Sequence, residues 1–98
     1  MTINKNVQGT EIEIAPVGRL DTTTAPQLEA ELKQSLDGAT ALTLDFAGLE
    51  YLSSAGLRVL LAAQKTMGKQ GRMVIRHVNE TIMEVFEITG FSEILTIE

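Results

Sequence analysis

The sequence predicts an α/β fold: one domain spanning residues 1–98, with a mixed, mostly parallel β-sheet packed against α-helices. Three observations lead there. Short alternating or apolar runs recur at "TEIEIAPVG", "ALTLDF", "RMVIRHV" and "EILTI". Between them stand longer stretches with apolar residues every three or four positions, each opened by a hydroxyl residue or asparagine and closed by glycine. At 98 residues, 44% hydrophobic and 21% charged, the chain can fill one core but not two.

The elements follow in order. "TINKNV" and "TEIEIAPVG" flank Gln8-Gly9 and read as a hairpin, with Ile12, Ile14 and Val17 on one side of the second strand and Glu11 and Glu13 on the other. Thr24 and Gln27 have capping-box spacing, Pro26 suits a first helical turn, and Leu28, Leu32 and Leu36 repeat every four residues up to Gly38. "ALTLDF" is a strand carrying Leu42 and Leu44 in phase. A loop through Gly48 leads to a helix from Ser53/Ser54 to about Gln70, with Leu57, Leu60, Leu61 and Met67 as its apolar stripe and Gly71 as its end. "RMVIRHV" places Met73, Ile75 and His77 on one face of a strand. Asn79 caps a third helix lined by Ile82, Val85, Phe86 and Thr89, and "EILTI" closes as a short strand. Strands alternating with helices imply crossover connections and parallel pairing, made mixed by the initial hairpin.

In such sheets the loops after parallel strands gather at one edge, where ligands and partners bind. Asp21, Asp45, Ser53 and Ser54 all follow strands and are expected at the same end. The pair Ser53-Ser54 poses the sharpest question, because capping a helix needs one hydroxyl. One reading is a cap alone; the other is a cap plus a serine that accepts a phosphate, which a helix N-terminus with its free N–H groups accommodates well.

Composition narrows the function classes. The formal charge of −5 argues against nucleic-acid binding, which demands surplus Lys and Arg. Cysteine is absent, so disulfides and thiolate metal sites are excluded and a reducing compartment fits. No apolar run approaches the ~20 residues of a membrane span, and "MTINKNVQGT" lacks a signal-peptide core, so a cytoplasmic protein is expected. From Tyr51 through Asn79 there is no acidic residue, while Arg58, Lys65, Lys69, Arg72 and Arg76 fall there. Arg58, Lys65 and Lys69 share a helical face, which reads either as a solvated surface or as a docking stripe for an acidic partner.

Several chemistries fail on the residues. "YLSSAG" is not a nucleophile elbow, and His77, the single histidine, lies within a strand, so no catalytic triad is expected. Asp21 and Asp45 could together hold a divalent cation, but no third carboxylate joins them, and no metal or cofactor is expected. No phosphate-cradling glycine motif occurs.

"GRLDTTTAPQLEAEL", "LTLDFAGLEYLSSAGLRVLL" and "ITGFSEILTI" together resemble the STAS domain of bacterial anti-sigma factor antagonists, from about Glu11 to Ile97. The resemblance implies a STAS-like fold and a regulatory protein rather than an enzyme. In that family the unphosphorylated antagonist binds an anti-sigma factor that is also a serine kinase, which releases a sigma factor. The kinase then phosphorylates a serine at the start of the central helix, and a serine phosphatase reverses it. The family's turn reads Asp-Ser-Ser/Thr-Gly-Leu, with phosphate on the serine after Asp. Aligning Gly56-Leu57 puts Ser54 at the phosphoacceptor, Ser53 where Asp is common, and Ala55 at the second hydroxyl, with Ser53 the alternative acceptor. The implied partner surface comprises Asp21, Thr22, Ser53, Ser54, Ala55, Gly56 and Arg58, and Gly56→Val is expected to hinder the partner while sparing the fold. STAS-like domains also serve as unphosphorylated accessory subunits of membrane lipid transporters, or as parts of signalling scaffolds, and these are the rival readings.

Overall fold

Gly9 and Thr10 turn the chain between two antiparallel strands, β1 (Thr2–Gln8) and β2 (Glu11–Leu20), with Gln8 opposite Glu11. Gly9 adopts φ 64°, a conformation that favours glycine in such a tight turn. The structure is a computed structural model describing Met1–Glu98. After β2 come α1 (Ala25–Ser35), β3 (Ala41–Asp45), β4 (Leu49–Leu52), α2 (Ser54–Gln70), β5 (Arg72–Arg76), α3 (Glu80–Thr89) and a 3₁₀ turn (Phe91–Glu93).

The sheet runs β1-β2-β3-β5, with β4 attached to β2 alone. All pairs except β1·β2 are parallel, so the sheet is mixed and mostly parallel as expected. The strand β2 changes partner along its length. It pairs with β3 over Glu11–Ile14 and with β4 over Gly18–Leu20, with a register shift between Gly18 and Arg19.

One face of the sheet meets the helices. Ile12, Ile14, Leu42, Leu44, Met73 and Ile75 are buried there against Leu28 and Leu32 of α1, Leu57, Leu60 and Met67 of α2, and Ile82 and Phe86 of α3. The opposite face exposes Glu11, Glu13, Arg72 and Arg76. The result is two layers, each burying one face.

Several expectations need correction. In β2 it is Pro16, not Val17, that continues the inward phase of Ile12 and Ile14, and Val17 is exposed. Pro16 lies in the gap where β2 has left β3 and not yet met β4, so its missing N–H removes no ladder bond on that side. Leu61 is only half-buried, and Val59 takes the core position on α2, turned toward α1. Thr89 is exposed, its hydroxyl donating to the Val85 carbonyl at 2.6 Å. "LEYL", read as loop, is the strand β4. "EILTI" is not a regular strand: it makes one parallel bridge, Ile75 to Ile97. His77 lies beyond the end of β5, at φ 59° and exposed, rather than on the strand's inner face.

Helix ends mostly follow the sequence signals. Asn79 Oδ1 accepts from the Ile82 N–H at 2.8 Å, and Gly90 closes α3 in the left-handed region at φ 81°. The side-chain caps expected at the other two helix starts do not form: at α1 Thr24 makes no side-chain cap and no Thr24–Gln27 box forms, and at α2 Ser53 makes none.

Candidate partner-binding site at the start of α2

Two strand ends build the site. Leu20, the last residue of β2, is in register with Leu52, the last residue of β4. The Ser53 N–H donates to the Leu20 carbonyl at 2.9 Å, so Asp21 and Ser53 are the next residues beyond one paired rung. Each then enters a helix.

Asp21 starts the turn into α1. Its Oδ1 accepts from the Thr23 and Thr24 N–H groups at 3.0 and 3.1 Å, while the Thr24 hydroxyl accepts from the Asp21 N–H at 2.9 Å. The Thr24 hydroxyl in turn donates to the Arg19 carbonyl at 2.7 Å. The reciprocal cap expected at Thr24 and Gln27 is thus built one turn earlier, between Asp21 and Thr24. The Thr24 N–H, with lesser help from Thr23 and from Arg19, holds the Asp21 carboxyl below its usual value. Thr22 sits at the exposed outside of this turn.

At α2 the two serines part. Ser53 occupies the N-cap position with extended backbone, and its carbonyl accepts the Leu57 N–H at 3.0 Å. Its hydroxyl makes no capping bond; Oγ is shut off from solvent with no hydrogen-bond partner. The expected side-chain cap is therefore absent. Ser54 is exposed at the first helical position, at the electropositive end of a 17-residue helix with no acid in its first turn.

Ala55 is half-buried, and Arg58 is exposed one turn after Ser54. Gly56 faces inward: a Cβ there would stand 2.6 Å from Leu52 Cδ1 and 2.8 Å from Leu20 Cγ. Its bareness lets α2 approach the ends of β2 and β4. The expectation that valine at Gly56 would spare the fold is therefore overturned by packing.

Asp45 does not join this edge. Leu44 is level with Ile14, so Asp45 lies about six residues short of Asp21 along β2, roughly 20 Å at the usual strand rise. Where β3 stops, β4 takes over beside β2 and carries the chain on to Ser53. Asp45 instead accepts from the Ala47 N–H at 3.0 Å and pairs with His77 Nδ1 at 2.8 Å, and these two contacts lower its pKa. No cluster of three or more His, Cys, Asp or Glu side chains could hold a metal ion.

Sequence reading missed Arg19 and Tyr51, which flank the site. They are register partners, with the Arg19 guanidinium 4.2 Å from the Tyr51 ring centre and its Nε 3.9 Å from Asp21 Oδ2. The signal was available in the outward phase of β2, but only once β4 was known to lie beside it.

Comparison with known proteins gives a consistent picture. Residues 2–96 match the family described as "Mlab, STAS domain". BtrV of Bordetella bronchiseptica, provisionally named an anti-sigma factor antagonist, is 42% identical over 82 residues, 82% of this chain and 71% of BtrV. The anti-sigma-B factor antagonist of Listeria monocytogenes is 30% identical over 89 residues, 89% of this chain and 78% of that protein. In fold, an anti-sigma factor antagonist from Mycobacterium paratuberculosis superposes with a TM-score of 0.89 over 98% of this chain and 83% of its own, at 24% identity. No helix is long and apolar enough to cross a membrane. This chain belongs to the STAS domain family and stands with its anti-sigma factor antagonists.

Proposed function

We propose that the protein is an anti-sigma factor antagonist that acts by binding, not by catalysis, in the cytoplasm. Unphosphorylated, it engages an anti-sigma factor that is also a serine kinase, and the sigma factor is released. Phosphorylation of Ser54 ends the contact, and a serine phosphatase restores it. The observation that carries this reading is the contrast between the serines: Ser54 is exposed at the positive end of α2, whereas the Ser53 hydroxyl is enclosed.

A dianion at Ser54 is tolerable to the fold, since it meets a helix terminus and solvent. It is costly to a complex, because a partner fitted to a hydroxyl must desolvate a phosphate. A loss of about 3 kcal/mol already weakens binding more than a hundredfold. Asp21, Thr22, Ala55 and Arg58 surround the contact, and Gly56 shapes it from beneath.

The test combines mass spectrometry with binding. After incubation with the anti-sigma factor kinase and ATP, phosphate should appear on Ser54. Ser54→Ala should bind constitutively and Ser54→Asp poorly, with both melting near wild type. Phosphate on Ser53 would move the acceptor by one residue. No phosphate, with both variants binding alike, would end this reading in favour of an unphosphorylated accessory subunit of a lipid transporter or a signalling scaffold.

A further inference from the structure

Seven of the eight Lys and Arg side chains fall into two groups; the eighth, Arg72, also without an ion-pair partner, is exposed on the sheet face away from the helices. Lys5, Arg19, Lys33 and Arg76 are each held in an ion pair, with Glu31, Asp21, Glu29 and Glu98. Arg58, Lys65 and Lys69 are exposed on α2, and none has a carboxylate within ion-pair distance. They continue from Ser54 at offsets of four, seven and four residues, so all four lie along one face of the helix. At about 1.5 Å per residue the stripe is roughly 22 Å long.

Its composition is unlike an ordinary solvated helix face. The exposed side of α1 mixes signs, with Glu29 and Lys33 paired one turn apart at 3.7 Å. No acid occurs among the 17 residues of α2. Glu29 and Asp37 line the cleft beside α2, but neither pairs with the stripe. A protein of net charge −5 thus carries an uncompensated cationic strip that begins at its candidate modification site. Half-buried Leu61 and exposed Ala62 lie between Arg58 and Lys65, so the strip also offers apolar contact.

We propose that this stripe is a docking surface for an acidic face of the anti-sigma factor, with Lys65 and Lys69 steering the encounter and Ser54 and Arg58 at the point of closest fit. This rests on the function proposed above and names the chemistry of its partner. A protein surface suits the stripe better than a nucleic acid: three cations on an acidic chain neutralise too few phosphates. Phosphate on Ser54 would lie about 6 Å along the axis from Arg58, inside the ~8 Å screening length at physiological ionic strength. It would pair with Arg58 one turn on and cancel the head of the stripe, leaving Lys65 and Lys69 beyond its reach.

The test is the association rate with the organism's own anti-sigma factor, at low and high salt. Lys65→Glu/Lys69→Glu should associate about tenfold more slowly than wild type at low salt, with the two rates converging as salt is raised and the dissociation rate little changed. Lys65→Gln/Lys69→Gln should show a smaller slowing and serves if charge reversal disturbs folding. An anti-sigma factor that binds wild type and both double variants at the same low-salt rate overturns the stripe while leaving the proposed function standing. One that fails to bind wild type at all overturns both. Binding of duplex DNA by wild type at physiological salt, lost in the double variants, would assign the stripe to a nucleic acid instead.

Discussion

Gly56 and Leu52 approach so closely that a Cβ on the glycine would stand 2.6 Å from Leu52 Cδ1. The Leu52 tip could swing aside, but Leu20 Cγ stands behind it at 2.8 Å, and Leu20 is fully buried. Gly56→Val therefore forces α2 away from the ends of β2 and β4. Chemical denaturation should show a loss of about 1–3 kcal/mol, the usual cost of overpacking. Unchanged stability would mean that α2 can shift outward freely, and would return Gly56 to the partner surface alone.

Leu60 and Leu61 mark the border between the buried stripe of α2 and its solvent side. Leu60 is fully buried, so Leu60→Ala should cost roughly 2–5 kcal/mol. Leu61 is half-buried, and Leu61→Ala should cost well under half of that. A reversed order in urea midpoints would place the wrong face of α2 against the sheet.

How far the sequence could be read follows from the length of each signal. The helices of ten or more residues repeat their apolar positions often enough to be found, and Asn79 and Gly90 mark the ends of α3 plainly. The strand β4 has four residues and only Leu49 and Leu52 buried, too few for an alternation to appear. Without a visible β4 the sequence groups Asp45 with Asp21, although β4 separates them along β2. Strict alternation from Ile12 and Ile14 reaches Pro16 rather than Val17, and the change of partner along β2 makes room for a proline there. Ser54 was legible from its place before an apolar run. The enclosure of the Ser53 hydroxyl was not, because it depends on how β4 and β2 converge.

Acid should loosen the turn into α1. Asp21 titrates below its ordinary value of 3.8, chiefly because its carboxylate accepts the Thr24 N–H. A carboxylate with a lowered folded pKa contributes stability that is complete above its unfolded pKa and is lost as pH falls through the folded one. Asp21→Asn keeps an acceptor for the Thr23 and Thr24 N–H groups but cannot protonate. It should be slightly less stable than wild type at neutral pH and should lose less stability below about pH 4. Asp45 is lowered in the same way, so the slope should shrink without vanishing. Equal acid sensitivity in both proteins, measured by denaturation across that range, would show that Asp21 is not a stabilising cap.

The two serines differ in the enclosure of their hydroxyls, and alanine at each tests that difference. The Ser53 hydroxyl is enclosed and unpaired, a state that costs a buried polar group about 1–3 kcal/mol. Ser53→Ala removes that group at little change in shape, so thermal stability should hold or rise, although the residue occupies an N-cap position where alanine is usually unfavourable. Ser53→Asp places a preferred N-cap residue, common at this position in the family, at the positive end of α2, so it should melt near wild type, with helix capping offsetting the crowding of the enclosed space. At Ser54, exposed on the first turn of α2, both Ser54→Ala and Ser54→Asp should melt near wild type, because a negative charge there meets the positive helix end and solvent. The same asymmetry bears on the acceptor: a kinase can reach Ser54 in the folded protein, whereas phosphate on Ser53 would require the end of β4 to open first. If Ser53→Ala loses more than about 1 kcal/mol, its hydroxyl is capping α2 after all. In that case a phosphate on Ser53 would be as admissible to the fold as one on Ser54.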